Sequence, residues 1–114
     1  MNTEVRQAFD TEMKVAKELF AKQDLEGSFK HLERAHVLGQ FYVIPHVKSH
    51  WWMLKVGFYR ASGQEILGQA IRIIFGTLGS AIGVVPVGNT GGTNISMFAR
   101  LPIEPDIAKI LNKI

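Results

Sequence analysis

The sequence contains no cysteine, which excludes disulfides and thiolate metal sites at the outset. It is also poor in charge of one sign. Thirteen Lys and Arg stand against ten Asp and Glu, for a net charge of +3. They are scattered and accompanied by no recognition motif, so no nucleic-acid partner is expected. The opening segment, MNTEVRQAFDTEMKVAKELF, carries Glu4, Asp10 and Glu12 among its apolar residues. It therefore lacks the basic-then-apolar layout of an export signal, and a cytoplasmic address fits. The longest apolar stretch, Ile73 to Gly88, is uncharged but rich in glycine and short of a typical membrane span. A buried core helix is expected there and no membrane partner. Catalytic motifs are missing too. VGNTGGTN has neither the lysine nor the following helix of a phosphate loop, and the pair His46-x-x-x-His50 lacks the adjacent glutamate of a zinc protease. No serine nucleophile or paired catalytic acid stands out, so enzymatic activity is left open.

What is present is a globular composition: 46% apolar and 20% charged among 114 residues, the size of one domain with one core. Apolar residues at three-and-four spacing predict four helices. The first runs from an N-cap at Thr3 to about Lys22, with Val5, Phe9, Ala16, Leu19 and Phe20 inward. The second is capped by Asp24, carries Leu25, Phe29, Leu32 and Ala35, and stops at Gly39. Pro45 suits the first turn of the third, whose inward stripe is read as Val47, Trp51, Leu54 and Phe58, ending near Ser62 and Gly63. The fourth, Gln64 to Ser80, shows Ile66, Leu67, Ala70, Ile71, Ile74, Phe75 and Leu78, a face so broad that this helix is expected to be the most buried. After Gly83 the glycines, asparagines and prolines of VVPVGNTGGTNISMFARLPIEPD carry no helical period. Tight turns stapled by Asn89, Thr90 and Asn94 are expected there, in a loop that also covers the open end of the bundle. Asp106 is expected to cap a short docking helix, Ile107 to Lys113. The fold class is therefore all-α: two antiparallel helical hairpins in a body spanning 1–82, an irregular segment 83–106, and a last helix within 107–114.

The stretch LFAKQDLEGSFKHLERAHVL resembles the inner turn of a tetratricopeptide-type hairpin, with Leu19, Phe20, Asp24, Leu25, Phe29 and Ala35 in the characteristic places and Ser28 where that repeat favours alanine. A wider resemblance rests on HLERAHVLGQ, HVKSHWWML, GQAIRI and VPVGNTGGTNIS followed by LPIEPD. These blocks, in this order, look like a small bacterial family catalogued only as a domain of unknown function. The resemblance implies a bacterial, cytoplasmic protein and nothing about activity.

All four histidines fall between His31 and His50. At about 100° per residue, His36 lies within about 20° of Phe29 and faces inward, whereas His31 lies roughly 160° away and is read as solvated. His46 and His50, four apart, stack on one side of the third helix. Glu12 falls about 60° from Phe9, inside the apolar arc of the first helix, where a carboxylate needs a partner, a metal or a proton. Glu33 precedes His36 by three, the Glu-x-x-His spacing of bundle metal sites, about 40° from Phe29. The candidate ligands are thus His36, His46, His50 and Glu12, with Glu33 possible. They suit one divalent transition metal, Zn or Fe ahead of Ni or Cu. A dinuclear site is not expected, because helix four offers only Glu65, on its polar side. The alternative is a non-catalytic helical interaction module, in which the same residues form a structural polar network.

Trp51 and Trp52 are adjacent and cannot share one face. Trp51 is assigned to the core stripe, and Trp52 with Tyr59 to the outer side beside Lys48 and Lys55. That outer pair is either a contact surface for a protein partner or second copy, or is covered by the extended LPIEPDI segment.

Overall fold

The computed structural model describes residues 1–60, 63–93 and 95–112. Five α-helices follow one another: α1 (Thr3–Ala21), α2 (Leu25–Gly39), α3 (Val43–Tyr59), α4 (Gly63–Ile82) and α5 (Pro105–Leu111). No strand occurs among the described residues. α1 packs on α2 and α3 on α4 as two hairpins, α2 joins α3, and α5 docks against α1 and α2.

The first hairpin follows its apolar pattern. Asn2, rather than Thr3, caps α1 by accepting from the Val5 N–H at 2.8 Å. Asp24 caps α2 through Gly27 at 2.9 Å, after a turn in which Gln23 takes φ 65°. Phe9, Met13 and Ala16 of α1 meet Phe29, Leu32, Ala35 and Leu38 of α2 in the core, and Val5 is buried as well. Ser28, fully buried where the tetratricopeptide pattern has alanine, donates to the Ala16 carbonyl at 2.8 Å and so ties the two helices. α2 continues through Gly39, and Gln40, in right-handed helical geometry, closes it.

The second hairpin departs from expectation. The buried face of α3 is His46, Ser49, His50, Met53, Val56 and Gly57. Trp51 and Phe58, assigned above to the core, are exposed at 52% and 68%. The helix is rotated so that its histidine side faces inward, and Trp52 follows it. Its ring lies edge-on to Phe20 at 5.5 Å, with the Lys17 and Lys55 ammonium groups over it. α4 inverts more completely. Its buried residues are Glu65, Gln69 and Ser80, whereas Leu67, Ile74 and Leu78 are 60–65% exposed. It is the least apolar helix on its inner face, not the most buried one. By length and composition α4 is apolar enough to cross a membrane, and only 11% of its most apolar window is buried.

α5 begins two residues earlier than expected, with Pro105 in its first turn after Glu104, so Asp106 lies inside the helix and does not cap it. Ile107 is buried in the core, with Ile110 and Leu111 packed against it. The expected helix ends at Ser62 and Lys113, and the turn role of Asn94, lie outside the described residues.

Candidate metal centre

His36, near the C-terminus of α2, and His46 and His50, one turn apart on α3, bring their rings together at centroid distances of 4.6–4.8 Å. All three are at least 96% shielded from solvent. Their Nε2 atoms form a triangle: 2.9 Å between His36 and His46, 3.0 Å between His36 and His50, 3.1 Å between His46 and His50.

The outward nitrogens decide which protons the rings carry. His36 Nδ1 lies 2.6 Å from the Asn89 carbonyl, which can only accept. His36 is therefore protonated at Nδ1. His46 Nδ1 faces the Ser80 hydroxyl. That hydroxyl donates its own hydrogen to the Gln40 carbonyl at 2.8 Å, so it accepts from His46. His50 Nδ1 faces Gln69 Oε1 at 2.5 Å. The Gln69 amide is oriented by its nitrogen, which donates to Glu65 Oε1 and to the Gly91 carbonyl, both at 2.7 Å. His50 is thus also an Nδ1–H tautomer. Three neutral imidazoles consequently aim three lone pairs at one point, with no hydrogen between them.

Burial keeps the rings neutral. It lowers His46 to about 3, with help from His50, and His50 to about 4 against the opposing hydrogen bond from Gln69. His36 is pushed well below the usual imidazole range by burial and by the charges His50 and His46 would carry. The donor set fits a transition-metal ion: three imidazole nitrogens, each fixed by an outer hydrogen bond. Nε2 of His36, His46 and His50 would hold such an ion, and three protein ligands would leave it able to take a further one.

The surrounding backbone leaves room for the rings. A Cβ on Gly76 of α4 would lie 3.1 Å from His46 Cε1, and one on Gly91 would lie 2.8 Å from His36 Cδ2. Gly91 also has φ +88°, which favours glycine. The 83–104 loop is built onto this site. Asn89 donates to the Ser96 and Ala99 carbonyls, both at 2.8 Å, and accepts from the Gly91 N–H. Gln40 receives the Gly88 N–H and donates to the Pro86 carbonyl.

The two carboxylates expected here are elsewhere. Glu12 pairs with His31 Nδ1 at 2.7 Å and Arg34 Nε at 2.8 Å. Arg34 extends the pairing to Glu104 and Asp106 at the start of α5. The partner Glu12 needed is thus supplied within the first hairpin, and His31, read as solvated, is half-buried by it. Glu33 bonds to the Thr90 side chain, and burial raises its pKa. It does not join the imidazole cluster, which among the described residues consists of His36, His46 and His50. Trp52 is half-buried, and Tyr59 is 65% exposed beside Phe20 and Phe58.

Gln69, Ser80 and Gln40 lie outside the expected site, and Asn89, expected as a turn-stapling residue, also meets His36 through its carbonyl. A signal existed: Glu65, Gln69, Arg72, Gly76 and Ser80 recur at intervals of three and four along α4, a polar and small stripe whose regularity matches that of the apolar one.

The fold and this cluster define a class, a small all-α protein of two hairpins that closes its second hairpin around three buried histidines. The chain belongs to a family described as proteins of unknown function, DUF3703, whose family model matches residues 3–111. No curated protein and no solved structure matches the chain.

Proposed function

We propose that this protein binds one divalent transition-metal ion through Nε2 of His36, His46 and His50, with a role in metal sensing, storage or delivery, or in a reaction at the open coordination position. One observation carries the reading. Acceptor oxygens on all three Nδ1 atoms force three lone pairs to within 2.9–3.1 Å of one another, an arrangement that a cation relieves. Three facial imidazoles with open positions suit Zn or Fe better than the square-planar preference of Cu(II) or Ni(II). Metal analysis of untagged protein purified without chelator tests this. A stoichiometric ion lost in both His46→Ala and His50→Ala is expected. Metal-free protein that also refuses Zn, Fe, Co, Ni and Cu in titration overturns the reading.

The outward face of α4 favours a second reading, association with another copy of the chain. Leu67, Ile71, Ile74 and Leu78 are exposed and alternate by four and three, the spacing of a helix–helix seam. Self-association that rises with protein concentration and disappears in Ile74→Gln is its signature. A chain that stays monomeric, or that partitions into lipid vesicles instead, overturns it.

A further inference from the structure

The trihistidine cluster opens onto a cavity of about 400 Å³, within the range that accepts a small organic ligand. Its described lining includes the apolar Phe75, Ile82, Val84, Met97 and Phe98, and its charged residues are Arg72 and Arg100. No aspartate or glutamate is among the described lining residues.

Arg72 is held in an unusual way for a guanidinium. Nη2 donates to the Ile95 carbonyl at 2.9 Å and Nη1 reaches the Gly68 carbonyl at 3.4 Å, both neutral acceptors. Nε is buried and has no hydrogen-bond partner among the described residues. Glu65 favours the charge of Arg72 through space, but its two oxygens are bonded to Gln69 and Thr93. The imidazoles of His36 and His50 lie close enough to feel the Arg72 charge. An orphaned buried N–H is costly and marks a place where an acceptor is wanted.

The balance of charge points the same way. Three neutral imidazoles contribute nothing to offset a divalent ion, so the loaded centre and Arg72 place three positive charges beside an apolar wall. A ligand that brings a counter-charge is favoured there, and no carboxylate is among the described lining residues.

We propose that this cavity binds a monocarboxylate with an apolar body. One carboxylate oxygen takes an open position on the trihistidine ion, the other faces the Arg72 guanidinium, and the hydrocarbon part lies against Phe75, Met97 and Phe98. The proposal rests on the metal reading above and names the ligand class of that centre. A carboxylate matches two donors with two oxygens. An inorganic oxyanion such as phosphate would leave further oxygens facing the apolar wall without partners.

The test uses the full chain loaded with Co²⁺, whose visible absorption bands report ligands entering its coordination shell. Hexanoate, acetate and inorganic phosphate are titrated separately. Hexanoate is expected to shift the bands to saturation and to bind at least about tenfold tighter than acetate, because its added methylenes leave water. Phosphate is expected to have little effect. Arg72→Met should weaken hexanoate by about tenfold or more without lowering Co²⁺ affinity, since the substitution removes a like charge from beside the ion. The ranking of the three anions on the unsubstituted protein needs no variant, so it stands if Arg72→Met fails to fold. Bands that ignore all three anions, or that respond equally to acetate and hexanoate, overturn the carboxylate proposal and leave the metal reading intact. A chain that takes up no Co²⁺ overturns both.

Discussion

The two hairpins solve the same packing problem in opposite senses. α1 and α2 turn their apolar stripes toward each other and leave Lys, Glu and Arg outside. α3 and α4 turn their polar and small residues inward, around His46, His50, Gln69 and Ser80, and leave Trp51, Phe58, Leu67, Ile74 and Leu78 exposed. An amphipathic pattern states that a helix has two faces, and water ordinarily decides that the apolar one goes in. In the second hairpin the buried polar groups are almost all paired, so the inversion does not leave a row of unsatisfied donors and acceptors in the interior. A region that gives up apolar burial to hold a paired polar network is organised around a site, and the first hairpin is the frame that supports it.

The widest separation between the hairpins is expected in their apolar residues. Leu32 is fully buried and Ile74 is 62% exposed. Leu32→Ala should lower unfolding free energy by about 2–5 kcal/mol through lost burial and a residual cavity. Ile74→Ala should remain within about 0.5 kcal/mol in dilute, monomeric protein. Urea unfolding of both variants makes the comparison. Equal losses would erase the distinction between the two halves.

Much of the first hairpin was legible from periodicity, because its apolar spacing and the Asp24 cap agree with where the helices sit. So was the convergence of the three histidines, since His36 shares a face with Phe29, and His46 and His50 are one turn apart. The orientation of α3 and α4 was not legible in the same way. Both of their faces are regular, and choosing between them requires knowing what the partner helix presents. Glu12 misled for a related reason. Helix geometry placed it inside the apolar arc of α1, but nothing in the spacing along α1 indicated that Arg34, twenty-two residues away, would reach it. The Asn89, Ser80 and Gln40 contacts depend on the path of a loop with no period, and such a path is set by tertiary packing.

The second expected difference is in response to acid. In the unfolded chain each histidine titrates near 6.5, whereas in the folded chain burial holds His46 near 3 and His50 near 4. Between those limits the unfolded state binds more protons, so lowering the pH favours unfolding. The stability of metal-free protein should be full above about pH 6.5 and fall below it. The slope should reach about 1.4 kcal/mol per pH unit for each buried histidine. Denaturation at pH 7, 6 and 5 measures that slope, and it should flatten in a His46→Gln, His50→Gln double variant and persist in Leu32→Ala. A flat profile from pH 7 to 5 in the unsubstituted protein would mean that the rings are not held neutral.

The smallest effect is the one that best assigns Glu12 to the frame and not to the site. Its carboxylate is largely shielded and shared between His31 and Arg34, but Arg34 keeps Glu104 and Asp106 as partners when the Glu12 charge is removed. Gln in its place keeps an oxygen that accepts from Arg34 Nε, so Glu12→Gln should cost no more than about 1 kcal/mol. Metal affinity should stay within about twofold, because the three Nε2 donors and their Asn89, Ser80 and Gln69 partners are untouched. Isothermal titration with Zn²⁺ on the variant and the parent gives the ratio directly. A tenfold or greater loss would place Glu12 among the ligands and join the two hairpins in a single site. An unchanged affinity leaves the centre to three imidazoles, with open positions for a ligand from solution.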